Sequence, residues 1–149
     1  MALSGCVTAP LNSGAPVSDT GPWSGRLSLT AQTQPPQRFY AGFTLAGGAD
    51  TGQLTLTGPL GSALAALRWQ PGSATLIQND QTQTYTSLDE LTARATGTPL
   101  PMQALFDWLR GRNTPVDGWQ ADLSALAQGK LTAQRLYPPP AAQLRIVLD

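Results

Sequence analysis

Residues 53–69, QLTLTGPLGSALAALRW, restrict the fold more than any other stretch, because they read as two strands joined by a tight turn. Leu54-Thr55-Leu56-Thr57 alternates apolar with polar, the pattern of a half-buried strand, and Ala63, Ala65, Leu67 and Trp69 fall on one face of the next run. Between them stands Gly58-Pro59-Leu60-Gly61. Pro59 presets φ for the first central turn position and Gly61 suits the turn exit, so Leu60 is the residue held outward. Turn tips are normally polar. A single exposed apolar residue is common enough that the turn alone assigns Leu60 no role.

The same period-two pattern extends in both directions. Trp23 to Ala31 places Leu27, Leu29 and Ala31 on one face, and Pro35-Pro36 breaks the run. Arg38 to Ala46 is the cleanest strand: Phe39, Ala41, Phe43 and Leu45 share one face, and Arg38, Tyr40, Gly42 and Thr44 the other. Pro71-Gly72 and Asn79-Asp80 mark turns around strands at 74–78 and 83–85, so the chain to Thr86 reads as an antiparallel meander.

The period then changes. Ser87-Leu88-Asp89-Glu90 has the form of a capping box, followed by Leu88, Leu91 and Ala95 at helical spacing and a stop at Gly97. After the stiff link Thr98-Pro99-Leu100-Pro101, Leu105, Trp108 and Leu109 stripe a second helix that ends at Gly111. Two short helices inside a β chain are expected to cover one face or mouth of the sheet. Residues 119–128 fit either a strand or irregular structure. Strands at 130–137 and 143–148 are joined by Pro138-Pro139-Pro140-Ala141-Ala142, which cannot join a ladder. With the last strand finishing at Asp149, the sheet is expected to have a short or incomplete edge there.

Composition removes several chemistries. The chain has no His and one Cys, so a Ser-His-Asp triad, a Cys-His pair and the common zinc sites are out of reach. Nine carboxylates are scattered, no glycine-rich phosphate loop opens a helix, and neither a catalytic residue nor a cofactor or metal site is expected. Nine basic residues balance nine acidic ones, which leaves no electrostatic case for nucleic acid. At 149 residues the chain suits one domain, expected to be monomeric.

The amino terminus adds a separate signal. Leu3-Ser4-Gly5-Cys6 resembles a bacterial lipobox, in which the Cys becomes the first mature residue and carries lipid; only Met1-Ala2 precede it, so either the start is truncated or the match is chance. Residues 7–22 have no periodicity and read as a tether. The expected organisation is residues 1–6 as the remnant of a lipoprotein signal, 7–22 as tether and 23–149 as folded domain.

In order along the chain, Gly25-Arg26-Leu27, Arg38-Phe39, Leu54-Thr55-Leu56-Thr57-Gly58-Pro59-Leu60-Gly61, Tyr85-Thr86, and Gly97-Thr98-Pro99-Leu100-Pro101 leading to Leu105, Trp108, Leu109 and Gly111 resemble the outer-membrane lipoprotein receptor LolB family. The resemblance implies a mainly β fold with short helices: a half-open antiparallel β-barrel whose apolar concave face is covered by a helical lid. It implies no enzymatic activity. The implied partners are a periplasmic lipoprotein carrier of similar fold, the acyl chains of cargo lipoproteins and the inner leaflet of the outer membrane, with the chain anchored through Cys6. Gly58, Pro59, Leu60 and Gly61 fall on the family's membrane-contacting loop. Phe39, Phe43, Leu45, Leu105, Trp108 and Leu109 are candidates for an acyl-chain cavity, with ordinary core packing as the alternative for each. A tethered interaction lipoprotein with a filled core is the competing reading; a large apolar void separates the two.

Overall fold

The computed structural model describes residues 21–149, so Cys6 and nearly all of the expected tether lie outside the described residues. Nine strands form one antiparallel sheet: β1 (Trp23–Ala31), β2 (Gln37–Gly47), β3 (Gly52–Thr57), β4 (Ala63–Gln70), β5 (Ser73–Gln78), β6 (Gln81–Tyr85), β7 (Trp119–Asp122), β8 (Lys130–Arg135) and β9 (Ala142–Leu148). Their order is β6-β5-β4-β3-β2-β1-β9-β8-β7. The sheet is not closed, because its two outermost strands, β6 and β7, do not pair with each other.

The first six strands form the meander that alternation predicts. Leu27, Leu29, Ala41, Phe43, Leu45, Leu54, Leu56, Leu67 and Trp69 turn to one buried face, and their neighbours in sequence turn away. Beyond β6 the topology departs from a meander. The connection from β6 to β7 carries the chain from one edge of the sheet to the other, and it contains both helices, α1 (Leu88–Thr96) and α2 (Met102–Leu109). Crossing between opposite edges of a curved sheet over its apolar side is what makes these helices a cover.

The expectation of an incomplete edge at Asp149 is corrected. β9 lies inside the sheet, pairing with β1 from Leu148↔Gly25 to Ala142↔Ala31 and with β8 on its other side. At its far end the Asp149 N–H donates to the Ser24 carbonyl. A last strand that returns to the first is invisible to local periodicity. Gly25 permits the return: a Cβ there would collide with the Val147 carbonyl oxygen. The ambiguous stretch 119–128 is both of its alternatives in turn, β7 followed by a single 3₁₀ turn at Leu126–Gln128.

α1 begins as its sequence requires. Ser87 Oγ accepts from the Glu90 N–H at 3.1 Å. The return arm reaches one residue further back than in a standard capping box, since the Glu90 carboxylate accepts from the Thr86 N–H at 3.2 Å and the Thr86 hydroxyl at 2.6 Å. These two bonds, both from Thr86, hold the Glu90 carboxyl below its ordinary value. Gly97 closes the helix, its N–H donating to the Ala93 carbonyl.

Three predictions follow from these contacts. Gly25→Val should destabilise the domain by about 1–3 kcal/mol in urea unfolding, whereas Gly48→Ala, with open space around its added Cβ, should be close to neutral. Ser87→Ala should cost about 1 kcal/mol at neutral pH. Because the Glu90 carboxyl is depressed in the folded state, its contribution is complete above the ordinary carboxylate range and lost as pH falls through the lowered value. The stability gap between the native chain and Glu90→Gln should therefore narrow below pH 4.5; a gap that widens in acid contradicts the assignment.

Candidate functional site

Two features stand out from the sheet: the apolar face under the helices and the tip of the β3–β4 hairpin. At the tip the Gly61 N–H donates to the Gly58 carbonyl at 3.0 Å and the Gly58 N–H to the Ser62 carbonyl at 2.8 Å. These bonds close Pro59-Leu60-Gly61 as a three-residue hairpin loop, with Gly61 in the left-handed region at φ +80°. The register then shifts, Leu56 pairing with Ala65 but Thr57 with Ala63. That bulge corrects one detail of the alternation, since Ala63 is exposed while Ala65, Leu67 and Trp69 are buried. The tip presents Leu60 at 96% exposure, and Leu64 beside it is 40% exposed. The two loop hydrogen bonds flank Leu60 on either side, and the Leu64 side chain lies against Gly58 at the base of the loop.

The apolar face belongs to the sheet and to α2 together. Phe43 and Leu45 of β2 and Leu105, Trp108 and Leu109 of α2 are all buried in one cluster, and Phe39 packs half-buried at its border. The structure thus brings five of the six cavity candidates into contact with a common core and sets the sixth at its rim. Sequence reasoning missed the residue at the centre. Phe106 is 1% exposed and stands between the rings of Trp23 and Trp69, at centroid distances of 5.8 and 6.4 Å. The available signal was the breadth of the apolar surface: Met102, Ala104, Leu105, Phe106, Trp108 and Leu109 are all buried, so α2 is apolar nearly all round where a narrow stripe was expected.

The indole nitrogens on this face are satisfied. Trp69 Nε1 donates to the Gly48 carbonyl at 2.7 Å, and Trp108 Nε1 to the Thr114 carbonyl at 3.0 Å. Asp107 accepts from Thr114 Oγ1 at 2.8 Å and pairs with Arg110 at 3.2 Å. These polar ties of α2 run to its own exit segment. Against the sheet, α2 packs its buried apolar side chains.

In the described residues the concave face is filled by α2. At the Leu60 end, where β1 runs out and β2 begins, a pocket of about 320 Å³ opens between these strands and the end of α1, lined by Leu29, Ala31, Phe39, Thr96 and Thr98 among others. A larger depression of about 770 Å³ is polar and involves Gln120, Asp122, Thr132, Gln134, Gln143 and Arg145, strand positions alternate to those buried in the core. Phe39 therefore stands at the mouth of the apolar face, on the side of the sheet where the hairpin tip projects.

Known proteins resemble this chain along most of its length. The chain is 32% identical over 172 aligned residues to the outer-membrane lipoprotein LolB of Bordetella petrii, an alignment covering 99% of this chain and 86% of that protein. It is 34% identical to the protein of that name from Bordetella pertussis over 98% of this chain and 86% of the relative. Identity to the Klebsiella pneumoniae protein of that name reaches 44% over 77 residues, half of this chain and 38% of the relative. The model of the family described as outer membrane lipoprotein LolB matches residues 22–137, most of the described domain, and the chain belongs to that family.

Proposed function

We propose that this member of a non-enzymatic family of lipoprotein receptors takes the acyl chains of lipoproteins from a soluble periplasmic carrier onto the face now covered by α2, and delivers them to the outer membrane. In this reading Cys6 carries the lipid anchor, residues 7–22 supply reach, and the Gly58–Gly61 loop touches the inner leaflet during release. The observation that carries it is Leu60, 96% exposed on a turn closed by two backbone hydrogen bonds. A folded domain that buries nine leucines to 2% or less and presents another to water on a hydrogen-bonded tip has a use for an apolar point.

Acceptance requires exchange at the concave face. Leu105, Phe106, Trp108 and Leu109 together contribute about 6–12 kcal/mol of burial at about 1.5–3 kcal/mol each. One myristoyl-length chain, at about 0.8 kcal/mol per methylene, carries about 10 kcal/mol. The two are of the same size, so acyl chains can substitute for α2 side chains without nucleotide hydrolysis, and a bilayer that solvates them better draws them off again. The Phe39 pocket is the entry this reading assigns.

The filled concave face favours one competing reading, a tethered interaction domain with no lipid cavity. A transfer experiment separates the two. A periplasmic carrier loaded with radiolabelled lipoprotein is mixed with this chain and the label followed by pull-down. Label is expected to move onto this chain, and Leu60→Glu is expected to accept it normally but to release it to liposomes roughly tenfold more slowly. Label that stays on a competent carrier sinks the receptor reading and leaves the interaction domain.

A further inference from the structure

Among the described residues the buried polar side chains are Thr92, Thr96 and Thr98, all at the end of α1 or in the link 97–101 that joins it to α2. Thr92 Oγ1 donates to the Asp89 carbonyl at 3.2 Å and accepts from the Leu100 N–H at 2.9 Å. Thr96 Oγ1 lies within donating distance of the Thr92 and Thr98 carbonyls, at 2.8 and 3.0 Å, and the Thr98 N–H approaches it at 3.4 Å. Pro99 and Pro101 carry no N–H, so the Leu100 amide is the donor that remains in that stretch, and it goes to Thr92. The Gly97 N–H closes on Ala93. The hydrogen bonds given by the amides of 97–101 therefore run to α1 and none of them to the sheet.

The link matters because of what it joins. Thr96, Gly97 and Thr98 line the pocket of about 320 Å³ together with Leu29, Ala31 and Phe39. Pro99-Leu100-Pro101 then leads directly to Met102, the first buried residue of α2. Leu100 is buried in the same core cluster as Leu91 of α1 and Leu105 and Phe106 of α2. With the link bonded to α1, Leu100 leaves that core only if the bond to Thr92 breaks or α1 leaves with it.

We propose that Thr92 is a positioning residue for acyl-chain acceptance: its hydroxyl latches the link to α1 and so limits the rate at which the face under α2 opens to the pocket. The proposal rests on the reading of the Phe39 pocket as the entry and names the bond that gates it. Hydrogen bonds suit a latch here better than more apolar packing would. An aliphatic chain can take the place of apolar side chains but offers no acceptor to the Leu100 amide, so the link keeps a reason to return once its guest has left.

The test follows entry of a fluorescent fatty acid, cis-parinaric acid, into the full chain by stopped flow. Thr92→Val keeps the shape of the side chain and removes the acceptor, whereas Thr92→Ser keeps the hydroxyl. Entry is expected to be about tenfold faster in Thr92→Val and within about twofold of native in Thr92→Ser. Gly25→Val, which disturbs the β1–β9 pairing away from the link, is the control. If it speeds entry as much as Thr92→Val does, general loosening explains the effect and the proposal is overturned. Equal rates in native and Thr92→Val also overturn it while the entry reading stands; a fatty acid that enters neither protein removes the entry reading itself. A second measurement needs no variant. In the native chain the entry rate should level off with rising fatty acid at the opening rate read from hydrogen exchange of the Leu100 amide, in the limit where opening controls exchange. An entry rate that climbs well past that opening rate shows passage without release of the latch and overturns the proposal.

Discussion

An open sheet of nine strands has an apolar face that water must not reach, and the burial of α2 against that face is what the other features depend on. Phe106 between Trp23 and Trp69 anchors the contact. Without it, the sheet would expose two large indole rings and the leucines of β3 and β4, far more apolar area than a domain of this size can leave in water. The same contact is made of side chains that an acyl chain can imitate. In the proposed reading, stability of the empty form and capacity for lipid draw on a single surface, so that strengthening one by tighter packing of α2 would weaken the other.

Much of this was legible in the residues. Alternation located β1 to β6 to within a residue or two, because each strand has one wet and one dry face and so keeps a strict period. The turns were legible through Pro59, Gly61, Gly72 and the Asn79-Asp80 pair, whose backbone requirements are local. Helix α1 announced itself through Ser87 and Glu90. Leu60 could be placed at a tip by its neighbours alone.

What was not legible is non-local. Nothing near Ala142–Leu148 states that this strand will lie between β1 and β8, since the information sits in its complementarity to residues more than a hundred positions away. The role of Phe106 was hidden for a related reason. Periodicity finds one face of a helix, whereas the buried surface of α2 is wider, with Phe106 outside the stripe that Leu105, Trp108 and Leu109 define. The bulge that turns Ala63 outward escaped because a single inserted residue changes the face without changing the composition.

The covering segment has a further property. It leaves the sheet at Thr86, where Glu90 grips both the amide and the hydroxyl, and rejoins it at Gly118, whose carbonyl is bonded across to Leu136. Such a segment is a strap fastened at both margins, not a flap with a free end. It can bow away from the floor beneath it but cannot swing clear, so any space gained is bounded by the slack in 97–101 and 110–118. In the proposed reading a guest would be held between strap and floor with its ends protruding from the open sides, a geometry suited to molecules that are greasy at one end and must keep the other in water.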